Sequence, residues 1–168
     1  IGCVCIDIKP ITQNTIIIKN TNFLNNTAQK NFGSLYIESK GESLSTTSIY
    51  NCTFDQNKAM QNHAAAFIKI DEETSSLSIL NCSFTNNFSG QKGGALCVDC
   101  KSSCSIKNVT FERNRAKSDY GALIVQNGVD FSIDSCTFNM NIASSMSLEE
   151  QNEEENKTIK AENMEGVC

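Results

Sequence analysis

The sequence lacks several features that mark common classes of protein. Its 168 residues contain no Trp, one Pro and one His, and no apolar run approaches the roughly 18 to 20 residues that span a bilayer as a helix. We therefore expect no transmembrane segment. The chain begins Ile1-Gly2-Cys3 without an initiator Met or a basic-then-apolar leader, which is typical of a mature or trimmed segment.

Most of the chain has no excess of either acidic or basic side chains. Residues 1–148 carry 12 acidic and 12 basic side chains, whereas residues 149–168 carry seven Glu against two Lys and account for the whole net charge of −5. A neutral body without a basic patch argues against a nucleic-acid partner. We expect one domain over residues 1–148 and an acidic C-terminal tail or cap over residues 149–168.

Asparagine is the abundant residue, with 20 copies in the chain. Its side chain competes for backbone hydrogen bonds, so it is a poor residue for helix interiors and a good one for turns that need a positive φ. The composition therefore disfavours a helical bundle.

One pattern recurs five times and organises the chain. Each copy has a Phe followed three residues later by an Asn: Phe23 and Asn26, Phe54 and Asn57, Phe84 and Asn87, Phe111 and Asn114, Phe138 and Asn141. Successive Phe residues are separated by 31, 30, 27 and 27 positions. Four copies also have a patch of small residues about ten positions after the Phe, as in Gly93-Gly94-Ala95-Leu96. A period this short and regular is typical of a solenoid.

The local period within each repeat is two, as in Phe131-Ser132-Ile133-Asp134, which predicts short strands without intervening helices. Strands repeating in this way bury one face only by winding into stacked coils. The sequence therefore predicts an all-β, right-handed parallel β-helix solenoid of about five coils. A leucine-rich-repeat horseshoe is the competing fold, but it needs a Leu-dominated consensus and helical return segments.

This fold assigns positions to the recurrent residues. We expect an inward aliphatic stack, an inward aromatic stack of the five Phe residues, and an inner wall between them. The aliphatic stack is Ile18, Ile49, Ile79, Ile106 and Ile133, and the wall is Thr21, Cys52, Cys82, Val109 and Cys136. An Asn ladder of Asn20, Asn51, Asn81 and Asn108 is expected to turn the chain and to join coils through side-chain hydrogen bonds. The Gly and Ala patches are expected where coil walls approach closely.

Phe-x-x-Asn combined with Gly-Gly-Ala-Leu in one repeat of about 30 residues resembles the polymorphic outer-membrane protein repeats of bacterial surface adhesins. It is also similar to the Asn- and Cys-rich, pectin-lyase-like β-helix proteins of protist surfaces. The resemblance covers about residues 16–142, although the full Gly-Gly-Ala-Leu occurs only at residues 93–96. It implies an extracellular or cell-surface role in adhesion, coating or fibre building, and it supplies no catalytic residues.

An enzyme is the less favoured interpretation. Polysaccharide lyases and hydrolases of the β-helix superfamily cluster charged side chains on one outer face. The only His here is His63, the only Arg residues are Arg113 and Arg115, and the densest acidic group, Asp71-Glu72-Glu73, is best explained as a solvated loop. We therefore expect no catalytic residues, no metal and no cofactor.

Six Asn-x-Ser/Thr sequons are candidates for N-glycosylation. Asn25 and Asn156 are the better acceptors, and Asn51, Asn81, Asn87 and Asn108 are less favoured. For the ladder positions Asn51, Asn81 and Asn108 the reason is crowding, because glycans on adjacent coils about 4.8 Å apart would collide.

The nine Cys residues bear on the compartment. Cys52, Cys82 and Cys136 are interpreted as small buried apolar residues of the inner wall. Cys97, Cys100 and Cys104 form a cluster that indicates a loop-stapling disulfide, or as the alternative a zinc site, and Cys3 and Cys5 are further disulfide candidates. Disulfides imply an oxidising, extracellular setting.

The function expected from these features is that of a non-enzymatic structural protein of the cell surface. Because an open-ended solenoid exposes strand edges, its partners would be copies of itself in an end-to-end filament, or an adjoining β-helix of a larger chain. Residues before Ile16 and the acidic tail are the candidate caps. An adhesin or glycan-binding module is the alternative, for which Tyr36, Tyr50 and Tyr120 are the available Tyr residues. A polysaccharide lyase or hydrolase is third.

Overall fold

The computed structural model describes residues 4–8, 13–40 and 45–144, which form twenty short strands. The strands make four parallel sheets of five strands, and the chain passes through sheets A, B, C and D in turn before returning to sheet A. Five passes give four complete turns between the first and the fifth strand of a sheet. The predicted all-β parallel solenoid is therefore confirmed, while its right-handed winding stays a prediction.

The strands of each sheet are four elements apart along the chain. Sheet A contains β1 (Val4–Ile8), β5 (Leu35–Ser39), β9 (Ala66–Ile70), β13 (Leu96–Cys100) and β17 (Leu123–Gln126). Sheet B contains β2 (Asn14–Lys19), β6 (Ser45–Tyr50), β10 (Ser76–Leu80), β14 (Ser103–Lys107) and β18 (Asp130–Asp134). Sheet C contains β3 (Asn22–Leu24), β7 (Thr53–Asp55), β11 (Ser83–Thr85), β15 (Thr110–Glu112) and β19 (Thr137–Asn139). Sheet D contains β4 (Thr27–Ala28), β8 (Lys58–Ala59), β12 (Phe88–Ser89), β16 (Arg115–Ala116) and β20 (Ile142–Ala143).

No helix in the described part of the chain is long and apolar enough to cross a membrane.

The core is a set of columns in which equivalent residues of successive coils lie directly above one another. Ile49, Ile79 and Ile106 pair in register in sheet B and are buried, as the aliphatic stack predicts. The five Phe rings stack nearly parallel, with centroid separations of 4.6, 4.5, 5.2 and 4.9 Å from the first pair to the last. Burial of the rings stabilises the fold, and the stacking of each pair contributes a further small stabilisation.

The last coil is the exception to this burial. Ile133 and Phe138 occupy the predicted columns, yet they are 46% and 49% exposed, because their strands lie at the edges of sheets B and C. In the wall between the two stacks Cys52, Cys82 and Val109 are buried, whereas Thr21 and Cys136 in the terminal coils are only partly buried.

A two-residue turn between sheets B and C begins at each predicted ladder position. Asn20, Asn51, Asn81 and Asn108 all have a φ between 51° and 53°, which Asn tolerates better than most residues. Each amide Nδ2 donates to the Asn Oδ1 of the preceding coil, at 3.3 Å for Asn51, 3.4 Å for Asn81 and 3.2 Å for Asn108. All four side chains are exposed, so this ladder does not satisfy buried polar groups as the sequence had suggested.

A second column of amides, formed by the Asn three residues after each Phe, carries the stronger set of hydrogen bonds and is buried at Asn57, Asn87 and Asn114. Asn87 Nδ2 donates to Phe54 O at 3.0 Å and to Asn114 Oδ1 at 2.8 Å, and its backbone N donates to Asn114 Oδ1 at 3.1 Å. Its own Oδ1 accepts from the backbone N and the Nδ2 of Asn57. Each interior amide thus joins three coils, and we call this set, Asn26, Asn57, Asn87, Asn114 and Asn141, the buried amide column.

Three of the four corners have constant lengths through the solenoid. The corner from sheet B to C and the corner from C to D each contain two residues in every coil, and the corner from D to A contains six. Only the corner from A to B varies, with five residues after β5 and β9 and two after β13. The shortening of the repeat from about 30 to 27 residues therefore occurs at one edge of the solenoid.

The N-terminal residues are not simply a cap, since Val4–Ile8 pairs in register with β5 as an ordinary strand of sheet A. The acidic tail over residues 149–168, together with Cys3 and Asn156, lies outside the described residues.

The buried amide column predicts a specific loss of stability. Asn87→Ala removes the side-chain partners of Phe54 O and of the Asn57 backbone N, and leaving buried groups unsatisfied is expected to lower the free energy of unfolding by about 3 kcal/mol. The matched variant Asn81→Gly removes an exposed ladder amide and keeps a residue suited to the positive φ, so we expect a loss below about 1 kcal/mol. Urea unfolding followed by circular dichroism measures both. Equal losses would contradict the assignment.

Candidate functional site

The outer face of sheet A carries an unusual column of mostly apolar side chains. Cys5, Tyr36, Phe67, Cys97 and Ile124 are in register along it and point away from the core. Cys97 and Ile124 are nevertheless buried, whereas Tyr36 and Phe67 are partly exposed. Outer faces of solenoids are normally polar, so this column needs an explanation.

Residues of the corner between sheets D and A complete an aromatic cluster beside this column. Phe32 and His63 occupy equivalent positions, each with a φ near 60°, and their rings stack at 5.6 Å. Phe32 lies 4.5 Å from Tyr36 and 5.1 Å from Phe67, and His63 lies 4.8 Å from Phe67, as ring centroid distances. Tyr36 and Phe67 stack at 5.6 Å. We call these four residues the outer aromatic cluster.

His63 is the most buried polar group of the cluster. Its Nδ1 has no hydrogen-bond partner, and burial lowers the pKa of the imidazole from 6.5 to about 4, so the ring is neutral at physiological pH. Gly93 stands at the equivalent position in the next coil, with a φ of 73°, and a Cβ there would lie 2.8 Å from His63 Nδ1. Because Gly93 has no Cβ, the His63 ring can pack against the backbone of the next coil.

Charged residues border the outer aromatic cluster on one side. Glu38 and Lys69 lie two residues after Tyr36 and Phe67 on the same strands and pair in register on the outer face of sheet A. Lys69 Nζ lies 3.6 Å from Glu38 Oε1 and 3.2 Å from Asp71 Oδ2. Tyr36 donates its hydroxyl hydrogen to Glu38, and burial together with this carboxylate raises the pKa of the phenol. The site thus offers flat apolar rings beside polar groups, which suits a ligand that stacks on one face and forms hydrogen bonds at its edge.

The structure brings together only part of what the sequence nominated for ligand binding. Tyr36 is in the cluster, whereas Tyr120 lies two coils beyond His63 in the same corner column and Tyr50 lies on the outer face of sheet B. The sequence analysis missed Phe32, His63 and Phe67. A usable signal was present, because the spacing of Phe32 and His63 and that of Tyr36 and Phe67 both equal one 31-residue repeat.

The sequons differ sharply in exposure. Asn25, Asn51, Asn81 and Asn108 are exposed. Asn87 is 1% exposed, and its amide nitrogen already donates two hydrogen bonds in the buried amide column, so it is not available for glycosylation in the folded chain.

The cysteines of the described residues are free thiols in this structure, and Cys97 lies apart from Cys100 and Cys104. Cys5 is exposed on the outer face of sheet A, and Cys97 is buried on the same face. Cys100 and Cys104 are buried in the core. Within residues 4–8, 13–40 and 45–144, no three His, Cys, Asp or Glu side chains come together in a group that could hold a metal ion, so no zinc site is assembled there.

The acidic segment after β9 is not the solvated loop that the sequence predicted. Glu72 is 4% exposed and its Oε1 accepts a hydrogen bond from Ser39 Oγ at 3.1 Å. Asp71 forms ion pairs with Lys69 and, at 3.8 Å, with Lys101. Of the three acidic residues in this segment, Glu72 is therefore buried and Asp71 is held in ion pairs.

The Gly-Gly-Ala-Leu patch has a structural reason at every position. Gly93 provides the positive φ, and a Cβ on Gly94 would meet Gly121 O at 2.2 Å, which confirms that coil walls approach closely here. Ala95 is fully buried, and Leu96 begins β13 with its side chain in the core. The motif therefore specifies the corner between sheets D and A.

Comparison with known families identifies part of the chain. Residues 81–99, from the turn before β11 to Asp99 in β13, match the model of the Chlamydia polymorphic membrane protein repeat. No curated protein and no solved structure matches the chain. The likeness to pectin-lyase-like and protist proteins stays a prediction. The repeat and the β-solenoid together point to a surface or outer-membrane protein.

The burial of His63 predicts a pH-dependent stability. In the unfolded chain the imidazole takes up a proton below about 6.5, whereas the folded site resists it until pH about 4, so stability falls as the pH drops through this interval, by at most about 3 kcal/mol. His63→Phe removes this term, and Phe32 shows that the position accepts Phe at the same φ. The measurement is the difference in unfolding free energy between the two proteins at pH 7 and pH 4.5. A difference that does not change with pH would contradict the assignment.

Proposed function

We propose that the chain is a structural module of a surface protein that stacks end to end with further copies of itself, and that it is not an enzyme. The observation that carries the proposal is the open fifth coil. Strands β17, β18, β19 and β20 each have one parallel neighbour among the described residues, and their other edges offer backbone donors and acceptors to an incoming strand.

The side chains at this end support the same interpretation. Phe138 is 49% exposed, whereas the Phe rings of the four preceding coils are at most 3% exposed. Another coil on this face would bury Phe138 and Ile133 in the way that every interior coil buries its equivalents. At roughly 25 cal/mol per Å² of apolar area, covering two large side chains favours association by a few kcal/mol.

The geometry of the repeat defines the mode of contact. A second solenoid placed with its first strands β1 to β4 on strands β17 to β20 would continue all four sheets in parallel register. This contact is heterologous and does not close on itself, so it propagates into a filament. An adjoining β-helix of a longer chain would occupy the same surface.

The experiment is sedimentation velocity over a range of protein concentrations, with electron microscopy of the same samples. We expect oligomers that lengthen with concentration, and we expect Phe138→Glu to abolish them, because a charge would be buried at the joint. Met60→Glu is the matched control. Met60 is 47% exposed, a fraction similar to that of Phe138, but it lies in the corner between β8 and β9, away from both end coils.

A monodisperse wild-type monomer at the highest concentration would contradict stacking. Assembly that persists in Phe138→Glu would contradict the proposed surface.

A glycan-binding module is the second candidate, and the outer aromatic cluster is the observation that favours it. Partly exposed rings beside Glu38 and Lys69 resemble a platform for stacking a sugar ring and holding its hydroxyl groups. On a glycan array we expect Tyr36→Ala and Phe67→Ala to lose binding at least tenfold, and Tyr50→Ala, on the outer face of sheet B, to retain it. Absence of wild-type binding, or equal loss in all three variants, would contradict this function.

A further inference from the structure

The corner between sheets A and B in the fourth coil brings two thiols together. Cys100 is the last residue of β13 and Cys104 is the second residue of β14, and both side chains point into the core. The two-residue corner between these strands, Lys101 and Ser102, is three residues shorter than the equivalent corners after β5 and β9. The short corner therefore draws the two inward positions close together.

The sulfur of Cys100 has polar contacts within the corner. Ser102 Oγ lies 3.1 Å from Cys100 Sγ, and the backbone carbonyl oxygen of Ser102 lies 3.7 Å from it. Cys100 is fully buried and Cys104 is 1% exposed. In the preceding coil Ile70 and Leu77 occupy the corresponding positions, so this place in the core is otherwise filled by apolar side chains.

The third cysteine of the sequence cluster is separated from this pair. Cys97 lies on β13 at an odd spacing from Cys100, so its side chain is on the opposite face of sheet A, where it pairs in register with Phe67 and Ile124. Successive residues of a strand alternate between faces. A disulfide between Cys97 and either of the other two would need the strand to rotate.

We infer that Cys100 and Cys104 form an intramolecular disulfide that closes the corner of the fourth coil and that Cys97 remains a free thiol. This inference does not depend on the proposed assembly, because the pair lies inside one chain.

The reaction needs an oxidant, for which a low-molecular-weight disulfide such as glutathione disulfide suffices. The Cys100 thiolate attacks one sulfur of the reagent and expels one glutathione thiolate, which gives a mixed disulfide. Cys104 then loses its proton and attacks the Cys100 sulfur, and the second glutathione thiolate leaves. Two protein thiols are oxidised to one disulfide, and one glutathione disulfide is reduced to two thiols.

The burial of both sulfurs determines when the bond can form. Because the folded chain buries Cys100 and Cys104, exchange with a glutathione-sized reagent takes place before the core has closed. The bond is therefore expected to form during folding.

The position of Lys101 allows a direct test. Trypsin cleaves after Lys92, Lys101 and Lys107, so Cys97 and Cys100 fall in the peptide 93–101 and Cys104 falls in the peptide 102–107. The full chain is refolded with glutathione disulfide, free thiols are blocked by alkylation in acid-quenched denaturant, and the digest is analysed by mass spectrometry without reduction. We expect the two peptides to be linked, with the alkyl group on Cys97, and to separate after reduction.

The variants identify the pair. Cys97→Ser is expected to keep the link, and Cys100→Ser and Cys104→Ser are expected to lose it. Recovery of the two wild-type peptides unlinked and fully alkylated would overturn the inference, and so would loss of the link in Cys97→Ser with retention in Cys100→Ser. Should a variant fail to fold, fragmentation of the linked wild-type peptides between Val98 and Asp99 shows which sulfur of 93–101 is bonded, and a bond at Cys97 would overturn the inference.

Discussion

The register of the whole solenoid depends on a buried row of carboxamides. Each interior Asn of the buried amide column accepts two hydrogen bonds from the coil before it and donates to the coil after it, while its second amide hydrogen satisfies the carbonyl of a Phe in the preceding coil. Asp could not take its place, because it lacks donors and would stack like charges about 4.8 Å apart. A slip of one residue between coils would leave every one of these groups unsatisfied in the core, so the column selects one register. The adjacent Phe stack favours the same register, because the rings are buried when they lie above one another.

Much of the fold follows from the sequence because the inner positions repeat. Phe54, Phe84 and Phe111 recur with their Asn partners at a nearly constant spacing, and constant spacing is what parallel stacking requires. The roles of the two Asn sets were harder to separate. Both recur and both form ladders, but which of them is buried depends on the direction in which each side chain leaves its turn. Asn81 has a positive φ and points to solvent, whereas Asn87 follows its turn and points inward.

The candidate site was less predictable, because outward positions are not constrained by stacking. Phe32 and His63 come from a corner, and Tyr36 and Phe67 come from strands, so their contact appears only when the six-residue corner folds back over sheet A. The pair Cys100 and Cys104 presents the same difficulty. Three cysteines within eight residues suggested a staple, and strand alternation together with the length of the corner was needed to exclude Cys97. Sequence periodicity therefore predicts which side chains form the inner wall better than it predicts contacts on the outer surface.

The variable corner between sheets A and B has a consequence for how such a chain can change. The other three corners keep their lengths because close backbone approach or positive φ constrains them, as at Gly94 and Asn81. The corner from A to B shortens by three residues after β13, and the sheets on either side of it keep their register. Foreign peptide segments inserted at this edge, for example between the exposed Glu73 and Thr74 in the third coil, would be displayed in a line along the solenoid at intervals of one coil. The stacking of coils would thus set the spacing of the inserted segments, and the corner from A to B is where the fold accepts a change in length.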